Sequence, residues 1–81
     1  MDEGKPLRFI PRTAADALAL EIASAFNDEA RLPFYRQICC ANPLAIVYRA
    51  FRATQSMPSW RIKKSRRALF IYLLHKYAHQ A

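Results

Sequence analysis

Glycine is almost missing from this chain, which has one in 81 residues, at position 4. Sheets and tight hairpins draw on glycine at turn positions, above all in Asn-Gly and Asp-Gly pairs. Neither pair occurs here, so the expected fold is all-α. The start reads Met-Asp-Glu-Gly-Lys, with no apolar core behind it, so no signal peptide is expected. The longest apolar run, residues 68–74, falls far short of the ~20 residues that span a bilayer. The expectation is therefore a cytoplasmic protein with no membrane partner and two reduced cysteines.

Catalytic signatures are also lacking. There is no Gly-rich phosphate loop and no nucleophile elbow. Residues 31–81 contain no carboxylate at all, and general acid–base chemistry usually needs a carboxylate pair or a His oriented by an acid. A non-enzymatic protein without a cofactor is expected. His75 and His79 have a spacing that can place two imidazoles on one metal, and Cys39 and Cys40 offer two thiols. Adjacent helical residues diverge by about 100°, however, so those cysteines do not converge on one ion. No metal site is expected. The histidines read as helix-end residues that suit the dipole, Cys39 as core, and Cys40 as an interface or surface thiol.

What the chain does contain is positive charge, unevenly placed. Residues 1–30 hold all six acids and three bases, a net −3, whereas residues 31–81 hold ten bases, a net +10. Such asymmetry between halves points to a polyanionic partner, against the plainer alternative of solvated surface charge. Hydrophobic residues make up 53% of the sequence, so there is material for a core. A chain this short buries only about 60% of its unfolded surface. That thin margin leaves room for homodimerisation or a stabilising partner.

The chain reads as a small four-helix bundle, residues 13–81, preceded by an extended N-terminal arm at 1–12 in which Leu7, Phe9 and Ile10 could pack across the bundle. Thr13 is a good N-cap with Asp16 three residues on, and opens a helix to 26 with Leu18, Ile22, Ala25 and Phe26 facing inward. Asn27-Asp28 ends it. A second helix, 29–41, carries Leu32, Tyr35, Ile38 and Cys39; alternatively, a turn over 28–32 precedes a helix from Pro33. Asn42-Pro43 is the clearest boundary, with Asn as N-cap and Pro at the first helical position. The third helix, 43–55, buries Leu44, Val47, Tyr48, Phe51 and Thr54. After a turn near Pro58, the last helix could start at Trp60 or at 65. Extending the Leu69, Phe70, Leu73, Leu74, Tyr77 stripe backwards sets Arg66 in its middle. A buried arginine argues for a register break at Ser65, hence a turn at 58–62 and a helix over 65–79.

The stretch Arg61-Ile62-Lys63-Lys64-Ser65-Arg66-Arg67 carries the functional expectation. A helix N-terminus is the positive end of the macrodipole, where each cation costs roughly 0.3–1 kcal/mol, so this run is a local conflict. Arg61, Lys63, Lys64, Arg66 and Arg67 are the expected phosphate ligands, helped by the free amides of the helix start. Arg49, Arg52 and Lys76 are expected to extend the patch. Trp60 either packs on the bundle, the commoner fate of a lone Trp in a small bundle, or stands exposed to stack on a base. The expected function is nucleic-acid binding, DNA or RNA. The alternatives are a helical interaction module for an acidic protein partner, a solvated cationic turn and a nuclear-localisation peptide. Helix, short turn and basic helix also resemble a helix-turn-helix layout, though the turn lacks glycine. Replacing Lys63, Lys64, Arg66 and Arg67 by Gln is expected to remove binding without unfolding.

Overall fold

Thr13 opens the first helix in the expected way. Its hydroxyl accepts the amide of Asp16 at 3.0 Å, and the Asp16 carboxylate accepts the Arg12 amide at 3.5 Å. The computed structural model describes residues 10–80, in which four α-helices follow one another. They are α1 (Ala14–Ala25), α2 (Leu32–Ala41), α3 (Leu44–Ser56) and α4 (Arg66–Gln80). Short 3-10 turns at Glu29–Arg31 and Ser59–Arg61 precede α2 and α4, and no strand occurs among the described residues. Residues 1–9 of the expected arm lie outside the described residues. Ile10, at its end, is 69% exposed and does not pack on the bundle.

Each connection is set by a specific residue. Asn27 adopts φ 58°, the left-handed geometry that glycine would ordinarily supply, and so closes α1 in a Schellman motif. The Asp28 amide donates to Ala23 O at 2.8 Å and the Asn27 amide to Ser24 O at 3.1 Å. The chain then makes the 3-10 turn before Pro33 enters the first turn of α2, so the turn-first alternative is the one adopted. Asn42 has a different role from the expected N-cap. Its side chain donates to Ile38 O at 3.0 Å and closes α2, while Pro43 is the N-cap of α3.

Helices α1 and α2 pack as one hairpin, and α3 and α4 as another. Aromatic side chains join the two. Phe26, just beyond α1, meets a ring from each of the other helices: Tyr35 of α2 at 6.1 Å, Phe51 of α3 at 5.8 Å and Phe70 of α4 at 5.7 Å. These separations are in the range where aromatic pairs attract beyond simple burial. Around them lie Leu18 and Ile22 from α1, Cys39 from α2, Val47 from α3, and Leu73 and Leu74 from α4. Ala25 and Tyr48, expected inside, are exposed. Ala19, Ala23 and Ala50 face the core instead, and their small side chains let neighbouring backbones approach. Buried Thr54 satisfies its hydroxyl by donating to Ala50 O at 2.8 Å.

The cysteines diverge as adjacent helical residues must, Cys39 buried and Cys40 exposed. Burial pushes the Cys39 thiol up to about 11, with smaller contributions from Cys40 and Asp16. Burial, then the hydrogen bond to Asp28, raises the Tyr35 hydroxyl above the ordinary tyrosine range.

Phe26→Ala should destabilise the protein by about 3 kcal/mol, lowering Tm by roughly 10–20 °C in a circular-dichroism melt. The raised Cys39 and Tyr35 groups keep protons in the folded state that the unfolded chain releases. The Cys39 contribution is therefore full below the ordinary thiol value of 9.0 and is lost as pH climbs from there through about 11, and that of Tyr35 is lost at higher pH still. Urea midpoints should fall over that window, with Cys39 accounting for a slope of up to about 1.4 kcal/mol per pH unit.

Candidate functional site

Pro58 breaks the chain after α3, and the 3-10 turn Ser59–Arg61 followed by an extended Ile62 carries it to α4. Ser65 starts that helix, its hydroxyl accepting the Ala68 amide at 3.1 Å. The register break expected at Ser65 is where the structure has it. Arg66 nevertheless stands on the inward stripe that continues through Phe70, Leu73, Leu74 and Tyr77. It is tolerated there because the stripe at that point overhangs the end of α3. One guanidinium nitrogen of Arg66 donates to Thr54 O at 2.9 Å and Met57 O at 3.2 Å, and the other to Ser59 Oγ at 3.3 Å.

This arrangement resolves the electrostatic conflict seen in the sequence. α3 has no basic residue of its own in its last turn, and Arg66 brings a cation to that negative dipole end. Arg67 turns away in another direction, to the Asp28 carboxylate at 3.6 Å. Asp28 also accepts from the Tyr35 hydroxyl at 2.7 Å and pairs with Arg31 at 3.5 Å. Acids of the first half thus reach cations of the second, Asp16 doing the same for Arg36 at 3.1 Å. Sequence position alone had set these charges apart.

The five cations of 61–67 are therefore divided. Arg66 and Arg67 are half-buried and engaged with the protein, whereas Arg61, Lys63 and Lys64 are exposed. No described carboxylate pairs with those three. They and Ser65 rim an open groove of 560 Å³ whose floor is Ile62, Ala68, Leu69 and Tyr72. Positions 65, 68, 69 and 72 share one helix face by their spacing, which is why Tyr72 lies on this side of α4 and is 62% exposed. Sequence reasoning missed Tyr72. The available signal was an aromatic placed off the core stripe and in step with Ser65.

Trp60 stands at the tip of the 3-10 turn, 82% exposed, so the core alternative does not hold. The Arg61 guanidinium lies over its ring, 5.7 Å from the centroid. The three more distant cations do not converge on the groove. Arg49 stacks on Tyr77 at 4.1 Å, about 16 Å along α4 from Arg66 at the helical rise. Arg52 donates to the Tyr48 hydroxyl at 3.1 Å, and Lys76 is exposed near the far end of α4.

Among the described residues no three His, Cys, Asp or Glu side chains gather as metal ligands, and no helix is long and apolar enough to cross a membrane. No protein-family model matches the chain, and no curated protein or solved structure does either.

Substitution separates the two kinds of cation. Arg66→Gln should cost about 1.5–3 kcal/mol in urea unfolding, because charge-assisted hydrogen bonds to three acceptors are lost. The Lys63→Gln, Lys64→Gln double variant should stay within about 0.5 kcal/mol of the parent. The fourfold replacement expected from sequence to spare the fold is therefore expected to weaken it.

Proposed function

We propose that the protein is a cytoplasmic, non-enzymatic module that binds nucleic acid through the basic groove at 61–65. One observation carries the reading: Arg61, Lys63 and Lys64 cluster on one short segment with no described carboxylate as partner, beside exposed Trp60. Uncompensated cations on one short segment raise the local anion concentration and neutralise backbone phosphates. Arg66 and Arg67 act by holding the loop and helix start in place, with Arg66 bonded to Ser59 in the turn itself. The Arg66 and Arg67 amides precede the capped Ala68 amide, and a phosphate at the rim would find them at the positive end of the dipole. Arg49, Arg52 and Lys76 lie outside this grip and contribute long-range field.

The competing reading is docking of an acidic protein partner, favoured by the apolar floor of the same groove. Salt distinguishes the two. Fluorescence anisotropy of single- and double-stranded DNA and RNA across a salt series should show affinity falling steeply. Three neutralised phosphates imply a log–log slope of about −2 on a single strand and about −2.7 on a duplex. An acidic protein held through apolar contact would show a much shallower dependence. Absence of binding at low salt would remove the nucleic-acid reading.

A further inference from the structure

Resting on that reading, we infer that the groove selects single-stranded nucleic acid and holds unpaired bases on the faces of Trp60 and Tyr72. Both rings are exposed to an extent that burial energetics do not favour, 82% and 62%. Both also border the same cationic rim. Tyr72 lines the groove, and Trp60 adjoins it through Arg61, whose guanidinium lies 5.7 Å from the ring centroid and leaves the ring 82% exposed. A strand with its phosphates against Arg61, Lys63 and Lys64 would have Tyr72 within the same groove and Trp60 next to Arg61.

A duplex cannot use this arrangement. Its base faces are closed by stacking, so it offers phosphates and groove edges only. Unpaired bases offer their flat faces, and aromatic stacking is the usual way in which proteins take them up without regard to sequence. The turn that carries Trp60 is also held in place, because Arg66 bonds Ser59 next to it and the carbonyls of Thr54 and Met57 behind it. A ring on a fixed turn loses less freedom on binding than one on a loose tail. The three exposed cations on the groove all come from one short segment, 61–64.

The test uses the full chain and short labelled oligonucleotides: an oligothymidylate, its abasic counterpart of equal length and charge, and a duplex of half that length, so that its two strands carry about the same number of phosphates. The oligothymidylate should bind roughly tenfold or more tighter than the other two, as stacking of one or two bases implies. Trp60→Ala and Tyr72→Ala should each lower that affinity by roughly fivefold to a hundredfold with the salt slope unchanged. Lys63→Gln, Lys64→Gln should instead flatten the slope by about 1.4. Trp60 is the sole tryptophan, so quenching of its emission on binding reports the stacking directly. An unchanged circular-dichroism melt in Trp60→Ala separates loss of contact from loss of fold. Equal affinity for abasic strand or duplex would overturn base stacking while leaving phosphate binding in place. Binding to no strand at low salt would overturn both, and capture of polyglutamate alone would assign the groove to an acidic protein.

Discussion

The ring of Phe26 is the contact on which the rest of this structure depends. Each helical hairpin has an apolar face that it cannot bury alone, and 81 residues leave little core to spare. Phe26 touches one ring from each of α2, α3 and α4, so a single side chain ties the two hairpins together. Its position is set by the turn after it. Asn27 at φ 58° closes α1 and directs the chain back, which leaves Phe26 pointing into the space between the hairpins. Backbone conformation and aromatic packing are thus coupled at one place. Asp28, the next residue, extends the coupling by holding Tyr35 from below and Arg67 from α4.

That network explains how a run of cations can stand at the start of an apolar helix. The positive end of α4 would repel them if they stayed beside it. Arg66 instead reaches the negative end of α3, and Arg67 reaches a carboxylate from the other hairpin. Both are drawn inward, and the chain before them forms a loop that presents Arg61, Lys63 and Lys64 outward. The exposed cationic surface is smaller than the basic run that announces it, and two exposed aromatic rings, Trp60 and Tyr72, lie next to it. Holding the loop and exposing its charge are performed by neighbouring residues of the same type, distinguished only by where their side chains find acceptors.

Much of the fold was legible. Threonine, asparagine and proline mark the helix limits, because capping and ring geometry act within a few residues. The inward stripes of α2 and α4 followed from helical period. The same local logic separated Cys39 from Cys40. It was less able to place single side chains near a stripe's edge, so that Ala25 and Tyr48 exchanged places with Ala19 and Ala50. Asn42 closes α2 rather than opening α3 because a side chain between two helices can serve either end, and only the packed geometry selects one.

By itself the sequence determined that the chain is helical, where most of its helices begin and end to within a residue or two, with the starts of the second and last helices left between two alternatives, and that positive charge gathers before the last one. These are consequences of local sterics, capping and period, which need no distant partner. The tertiary structure alone decided that Trp60 is exposed, that Tyr72 lines a groove, and which of five neighbouring cations face outward. Those outcomes depend on acceptors from other elements: the end of α3 for Arg66 and Asp28 for Arg67. No spacing rule within the chain reveals such a meeting, since the residues involved lie far apart in sequence and are brought together only by the packing of the two hairpins.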